Sequence, residues 1–357
     1  MFCRLFAAAS LAASVAVAPA YAQLGDKIKI NGYGSVEFEK LLGDEGRGDK
    51  TGSFDSDGLD LVLNFLPTDR VRVGMDLTWE HGTATESGFG NAAVEYGFIE
   101  YYGTDWLKGR AGKMFTPFGL YNEIHTAKPL FLAVKEPSAT DRTDRLGSPI
   151  RFFPRWASGL ALVGQGRLSG REVEYQVHFT NGDSLVTNPF EKDDNVAKAV
   201  AVRARVHPTG ALALGASFYD DSFVELLADG TPGTSETGRL SWSVDGVWET
   251  KRAGVELEYV SGRLSPSAAP SFWRFGLEAT VWAKLGRVRP YARYEYHDPN
   301  RDEGDDQASV LLGGLNLRLD DTLFLKAELD RFDSGPHNSR LKGVAYTEFK
   351  ASFAVGF

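Results

Sequence analysis

Val71-Arg72-Val73-Gly74-Met75-Asp76-Leu77-Thr78-Trp79 alternates without a break, with apolar residues at the odd positions and polar or small ones at the even positions. Successive side chains of an extended strand point to opposite faces, so a period of two gives one apolar face and one polar face. Leu59-Asp60-Leu61-Val62-Leu63-Asn64-Phe65 keeps its odd positions apolar in the same way, and the pattern returns at 172–179, 255–259, 323–330 and 347–357. No long segment carries apolar residues at the 3.6 spacing of a helix. The fold class is all-β.

Sixteen candidate strands begin near Lys27, Ser56, Arg70, Ala93, Trp106, Trp156, Arg171, Val196, Ala211, Arg239, Ala253, Phe272, Val288, Gln307, Asp321 and Ala345. Some connections are short and rich in turn residues, such as Pro67-Thr68-Asp69, Ser169-Gly170 and Gly286-Arg287. Between them lie long polar loops, among them 41–55, 181–195, 220–238 and 333–344. This alternation predicts a sixteen-stranded antiparallel transmembrane β-barrel, with short turns at one end and long loops at the other.

Composition narrows the alternatives. The chain has 357 residues, 43% hydrophobic and 24% charged, and its mean hydropathy of −0.24 excludes a bundle of apolar membrane helices. The one long apolar run is at the start: Arg4, the alanine-rich segment 5–17 and Ala20-Tyr21-Ala22 read as a secretory signal over residues 1–22. A mature barrel over 23–357 follows. The single cysteine, Cys3, leaves with the signal, so no thiol remains for disulfide, metal or nucleophilic chemistry. A net charge of −9 argues against nucleic acid as a partner.

Period two alone does not separate a soluble sandwich from a barrel in lipid. Three further features do. Trp79, Trp106, Trp156, Trp242, Trp248, Trp273 and Trp282 fall near strand ends, where interfacial aromatic girdles sit, although the parity of Trp282 points inward. The polar face carries mid-strand charges such as Arg72, Asp76, Arg274, Glu278, Arg293 and Lys326, which a dry core could not hold and a water-filled lumen can. The third is the final alternating segment, Thr347-Glu348-Phe349-Lys350-Ala351-Ser352-Phe353-Ala354-Val355-Gly356-Phe357, which ends on an aromatic residue.

That terminus resembles the closing strand of bacterial outer-membrane proteins, and the layout of the whole chain resembles their porins. The segment Gly112-Lys113-Met114-Phe115-Thr116-Pro117-Phe118-Gly119, followed by Tyr121-Asn122-Glu123, is similar to the entry into the third loop in the phosphate-selective-porin-like group. The resemblance implies export to the outer membrane of a Gram-negative bacterium and contact with outer-membrane lipid and lipopolysaccharide. It also implies a homotrimer, with the loop near residues 81–91 as a latch, and a third long loop folded into the barrel as its constriction.

The longest connection, residues 115–155, is that third loop, and its length marks it as functional. Its charges are Lys128, Lys135, Arg142, Arg145, Arg151 and Arg155 against Glu123, Glu136, Asp141 and Asp144, six cations to four carboxylates. With Lys113 these form the candidate constriction. Arg72, Lys108, Arg110, Arg203, Arg205, Arg289, Arg293 and Lys326 are the candidate pore-lining cations, placed inward by strand parity. A few fixed charges in a narrow site set its potential, so an anion preference is expected unless Asp141-Arg142 and Asp144-Arg145 merely pair locally and brace the loop. Glu37, Asp60, Asp76, Glu174, Glu256, Glu258, Glu278, Glu295 and Glu348 share the lumen, which suits a general or mildly selective channel and not a phosphate-specific one.

Catalysis has no comparable signature. The six histidines are scattered, and no His-x-x-x-His pair, Gly-x-Ser-x-Gly elbow or phosphate-cradling Gly-Lys loop occurs. Asp55-x-Asp57-Gly58 lacks the remaining ligands of a calcium loop. No cofactor and no metal are expected. The expected function is passive diffusion of small hydrophilic solutes or anions. The competing classes are a secreted all-β enzyme or binding protein, and a closed structural barrel or adhesin.

Overall fold

A computed structural model describes residues 27–43, 50–80, 91–125, 127–185, 192–227 and 231–357. The expected signal segment 1–22 and nearly all of the latch segment 81–91 lie outside the described residues. The strands are β1 (Ile28–Leu42), β2 (Ser53–Thr68), β3 (Val71–Glu80), β4 (Asn91–Thr104), β5 (Leu107–Phe115), β6 (Trp156–Leu168), β7 (Arg171–Thr180) and β8 (Ala199–Thr209). They continue as β9 (Leu212–Leu226), β10 (Pro232–Glu249), β11 (Ala253–Pro266), β12 (Phe272–Ala283), β13 (Val288–Asp298), β14 (Ala308–Arg318), β15 (Leu323–Ser334) and β16 (Tyr346–Gly356). Each pairs antiparallel with its sequence neighbours, and β1 pairs with β16, so the sheet closes into a sixteen-stranded barrel.

Closure removes the sheet edges and satisfies the backbone between strands, as a structure in hydrocarbon requires. The final residue takes part: Gly32 N–H donates to Phe357 O at 2.9 Å and Phe357 N–H to Gly32 O at 2.8 Å. Register fixes the faces. Across β2 and β3, Leu59, Leu61 and Leu63 oppose Trp79, Leu77 and Met75 on the outside, while Asp60 and Val62 oppose Thr78 and Asp76 on the inside. Around the barrel the outward side chains are large, apolar and exposed, as at Ile99, Leu162, Phe179, Leu257, Leu311 and Phe353. Arginine, lysine and glutamate are buried inside. This inversion of a soluble protein defines a transmembrane barrel.

The short turns follow local chemistry. Ser169 (φ 52) and Gly170 (φ 80) occupy the left-handed region between the paired residues Leu168 and Arg171, the geometry of a two-residue hairpin turn. In β4 an extra residue, Glu95, is bulged where Tyr96 opposes Asp76 and Val94 opposes Leu77. The bulge accounts for the uneven parity of that strand, and Phe98 and Glu100 both point inward and are buried.

Several sequence expectations need correction. The expected loop at 220–238 is mostly wall: β9 runs to Leu226 and β10 starts at Pro232, with Thr237 opposite Phe223 and Gly238 opposite Ser222. The expected loop at 41–55 likewise shrinks to 43–52. Connections 227–231 and 267–271 are also short. Polar residues on both faces hide these extensions from a hydropathy pattern, while backbone pairing continues regardless. Two of the seven tryptophans are not girdle members. Trp282 packs inside against Ala133, Tyr291 and Leu312, and Trp156 stacks on His125 with ring centres 6.3 Å apart. Trp106, Trp242, Trp248 and Trp273 are exposed.

Candidate functional site

Residues 116–155 leave β5 and turn into the barrel. They contain three short 3-10 turns, Asn122–Ile124, Lys128–Leu130 and Thr143–Leu146. Asn122 closes the neck by donating to Thr116 O (2.7 Å) and Arg155 O (2.8 Å). The loop is rich in apolar residues that water would not tolerate along its length. Phe118, Phe152 and Phe153 pack on Ala199, Ala201, Tyr219 and Val260 of the wall, and Ala139 and Leu146 on Val310, Phe332 and Tyr346.

An irregular backbone inside the barrel also needs hydrogen-bond partners. The wall supplies them. Lys326 donates to the carbonyls of Lys128 (2.6 Å) and Ala133 (2.9 Å), Arg293 to Lys135 O (3.0 Å), and Asn316 to Phe131 O (3.2 Å) and Leu132 O (3.1 Å). Arg274 donates to Arg151 O (2.5 Å), to Ile150 O and to Ser148 Oγ (2.9 Å). Carboxylates take the amides: Glu328 Oε2 accepts from Val134 N–H at 2.9 Å, and Glu295 Oε2 from Ser138 (2.6 Å) and Ala139 (3.0 Å). At Gly276 a Cβ would lie 2.0 Å from Ala139 O, so glycine lets the loop touch the wall.

These contacts correct two of the expected pore-lining residues. Arg293 and Lys326 do point inward, but they are 1% and 0% exposed beneath the loop. Cations taken out of water need acceptors, and the loop carbonyls provide them.

The loop's own charges form a second set of ties. Lys135 Nζ lies 2.8 Å from Asp57 Oδ1 and 3.6 Å from Glu39, and also contacts Glu37. Lys128 is 3.4 Å from Asp57 and 3.6 Å from Glu136. Arg155 meets Glu136 at 2.7 Å and Asp141 at 3.5 Å, and Arg142 meets Glu136 at 3.7 Å. Burial alone would raise the Glu136 carboxyl, but Lys128, Arg155 and Arg142 outweigh it and hold it well below the ordinary carboxylate range. Asp144 reaches Arg340 at 3.9 Å, while Arg145 stands half-buried on its 3-10 turn. The carboxylates thus pair with distant cations and not with the arginines beside them in sequence.

Most of the remaining candidate cations pair with carboxylates or lie over aromatic rings. Arg110 pairs with Glu100 (2.6 Å) and lies over the Phe98 ring at 4.3 Å, with Arg72 above the same ring at 5.3 Å and 3.6 Å from Glu100. Lys108 lies over Tyr102 at 5.2 Å and Lys113 over Trp156 at 4.8 Å. Arg203 makes a forked pair with Asp245 at 2.7 and 3.1 Å. Glu123 is exposed and accepts from Gln176 Nε2 at 2.8 Å.

Two cavities flank the loop. One, of about 620 Å³, opens toward the long loops and includes Asp57, Glu95, His125, Lys128, Glu136, Arg142, Arg151 and Arg155 in its lining. The other, of about 350 Å³, lies toward the short turns and is bounded by the loop, Arg203, Arg205, Glu249, Trp282 and Arg289. Arg151, Arg205 and Arg289 line these cavities with no carboxylate in salt-bridge reach among the described residues. Burial, followed by the neighbouring Arg155 charge, lowers the Arg151 guanidinium below its ordinary value. No group of three or more His, Cys, Asp or Glu among the described residues is placed to hold a metal ion.

Sequence reasoning passed over Asn316 and Asn338 and marked Glu328 only as an inward charge, yet all three hold the loop by its backbone. Asn338 donates to Leu146 O (2.9 Å) and Asp306 O (2.6 Å). Their partners lie up to about two hundred residues away in the chain, so no local signal marks that role.

A closed sixteen-stranded barrel with an apolar exterior, a charged interior and a loop folded across its lumen has the outer-membrane porin fold. No protein-family model matches the chain, and no curated protein does. Solved structures do. An anion-selective porin from Comamonas acidovorans aligns with a TM-score of 0.66 at 12% identity, over 92% of this chain and 99% of that one. OmpF of Salmonella typhi, solved with daunomycin, aligns with a TM-score of 0.64 at 9% identity, over 92% and 97%. OmpT of Vibrio cholerae gives 0.62 at 13% identity, over 92% and 97%. At such identities the likeness is one of fold.

Proposed function

We propose that this chain is a passive diffusion channel of the Gram-negative outer membrane, carrying small hydrophilic solutes without energy coupling. The observation that carries the reading is the loop 116–155 folded inside the barrel, with cavities of about 620 and 350 Å³ on either side of it. A closed structural barrel or adhesin has no need of such a partition.

A mild anion preference fits the same lumen. Arg151, Arg205 and Arg289 are the side chains with charge left over, while the loop's other cations are largely spent on bracing. Glu123 and Glu174 face the smaller cavity and limit the preference. The Comamonas neighbour is described as anion-selective, and one Vibrio OmpT structure as a trimer form. A homotrimer with the segment near 81–91 as a latch, and a mature chain starting at Gln23, complete the proposal. The test is a planar bilayer carrying the detergent-purified protein, with conductance and reversal potential measured across a KCl gradient. Ohmic steps with a chloride-leaning potential are expected. Absence of conductance would overturn the channel, and a cation-leaning potential the anion preference.

A further inference from the structure

The cavity on the short-turn side has an unusual lining for a water-filled lumen. The loop presents Leu120, Ile124, Leu130 and Leu132 to it, and the wall adds Val247 and Trp282. Leu132 and Val247 continue into the buried cluster of Trp282, Tyr291 and Leu312, so this is one apolar shelf rooted in packed side chains. Leu130 is 66% exposed, and it is exposed to this chamber instead of to lipid. Arg205 and Arg289 line the same space. Of the carboxylates that line it, Glu249 contacts Lys284, Glu256 accepts from the Tyr121 hydroxyl and Glu123 accepts from Gln176, while Glu174, opposite Arg205 in the register of β7 and β8, lies 3.9 Å from His207 Nε2.

From this juxtaposition we infer that the cavity is a binding site for small amphiphilic carboxylates, in which the shelf takes an aromatic or branched apolar body and Arg205 or Arg289 takes the carboxylate. Apolar surface with a few convergent polar groups is the general form of a small-molecule site, and a guanidinium matches a carboxylate with two parallel hydrogen bonds. A cavity of about 350 Å³ accommodates a single-ring acid. A solute lacking either half loses one set of contacts, so a small inorganic anion or a neutral ring binds less well. The inference deepens the channel reading and rests on it.

The probes are benzoate, acetate (the charge without the ring) and benzyl alcohol (the ring without the charge). Two measurements are made on the detergent-purified full chain: the loss of KCl current in a planar bilayer on adding each probe, and titration calorimetry of the same sample, which reports binding whether or not the barrel conducts. Benzoate is expected to block current and release heat saturably where the other two do not. Arg205→Gln combined with Arg289→Gln should weaken benzoate about tenfold, the loss of charge-assisted hydrogen bonds. Leu130→Asn should weaken it while leaving acetate unchanged, and serves as the second variant if the arginine pair fails to fold. Equal effects of benzoate and acetate, or of benzoate and benzyl alcohol, would overturn the inference, as would no calorimetric binding. Benzoate binding in a barrel that passes no KCl current would support this site and sink the channel reading.

Discussion

Lys326 Nζ, on the inner face of β15, donates to the backbone carbonyl of Lys128 in the loop 116–155 at 2.6 Å. Two residues far apart in sequence, both cationic, are thus joined through a carbonyl. The wall charge holds the loop and is not available to a passing ion.

Lys326→Met should therefore loosen the loop. It leaves the carbonyls of Lys128 and Ala133 without their donor, a loss of about 1–3 kcal/mol. The expected outcome is a larger and noisier single-channel conductance with the barrel still assembled. An unchanged conductance histogram would mean the loop is held without this contact.

The Glu136 carboxyl gives the loop a pH response whose sign follows from its depressed pKa. Unfolded, it titrates near about 4.3; folded, it titrates well below that, because Lys128, Arg155 and Arg142 more than offset its burial. Its contribution is complete above the unfolded value and is lost only as pH falls through the folded one. The difference in conductance between the native chain and Glu136→Gln, recorded stepwise toward acid, should hold steady through the ordinary carboxylate range and change only below it. In Glu136→Gln no proton remains to be taken up at this position, so the variant supplies the baseline.

The outward face predicts an insertion phenotype. Leu162 is 49% exposed near the middle of β6. Leu162→Arg should destabilise the inserted barrel by about 2–4 kcal/mol at mid-membrane depth, read as a shift of urea unfolding in lipid vesicles. Gln176→Arg, on the lumen face of β7, should leave that midpoint in place. Equal shifts for the two would contradict the assignment of faces.

Arg151 lines the larger cavity without a carboxylate in reach among the described residues. Arg151→Gln should lower anion permeability by about fivefold and so move the reversal potential toward cations, the Boltzmann factor of ~1 kcal/mol for one charge a few ångströms away in water. Arg293→Met should move it far less, because that guanidinium is covered.

The alternation in residues 71–79 was enough to define a wall strand, and repetition of that pattern placed sixteen strands. Most starts fall within a few residues of the observed ones. Period two is set by backbone geometry alone, so it is local and legible. It fails at the loop-side ends of β9 and β10, where Asp220, Ser222, Glu236 and Gly238 interrupt the apolar alternation while backbone pairing continues.

The candidate site was legible only in part. Sequence marked the loop by its length and marked inward charges by parity, yet parity does not tell an open arginine from a covered one: Arg205 and Arg293 follow the same rule and meet different fates. Which charges remain free is decided by the loop lying against β9–β16, through contacts such as Ser138 N–H to Glu295 and Arg274 to Ser148 that span more than a hundred residues. Face and strand are properties of neighbouring residues, and the sequence by itself determined them. The aperture and its free charges depend on which distant side chains satisfy the loop backbone, and only the closed barrel brings those together.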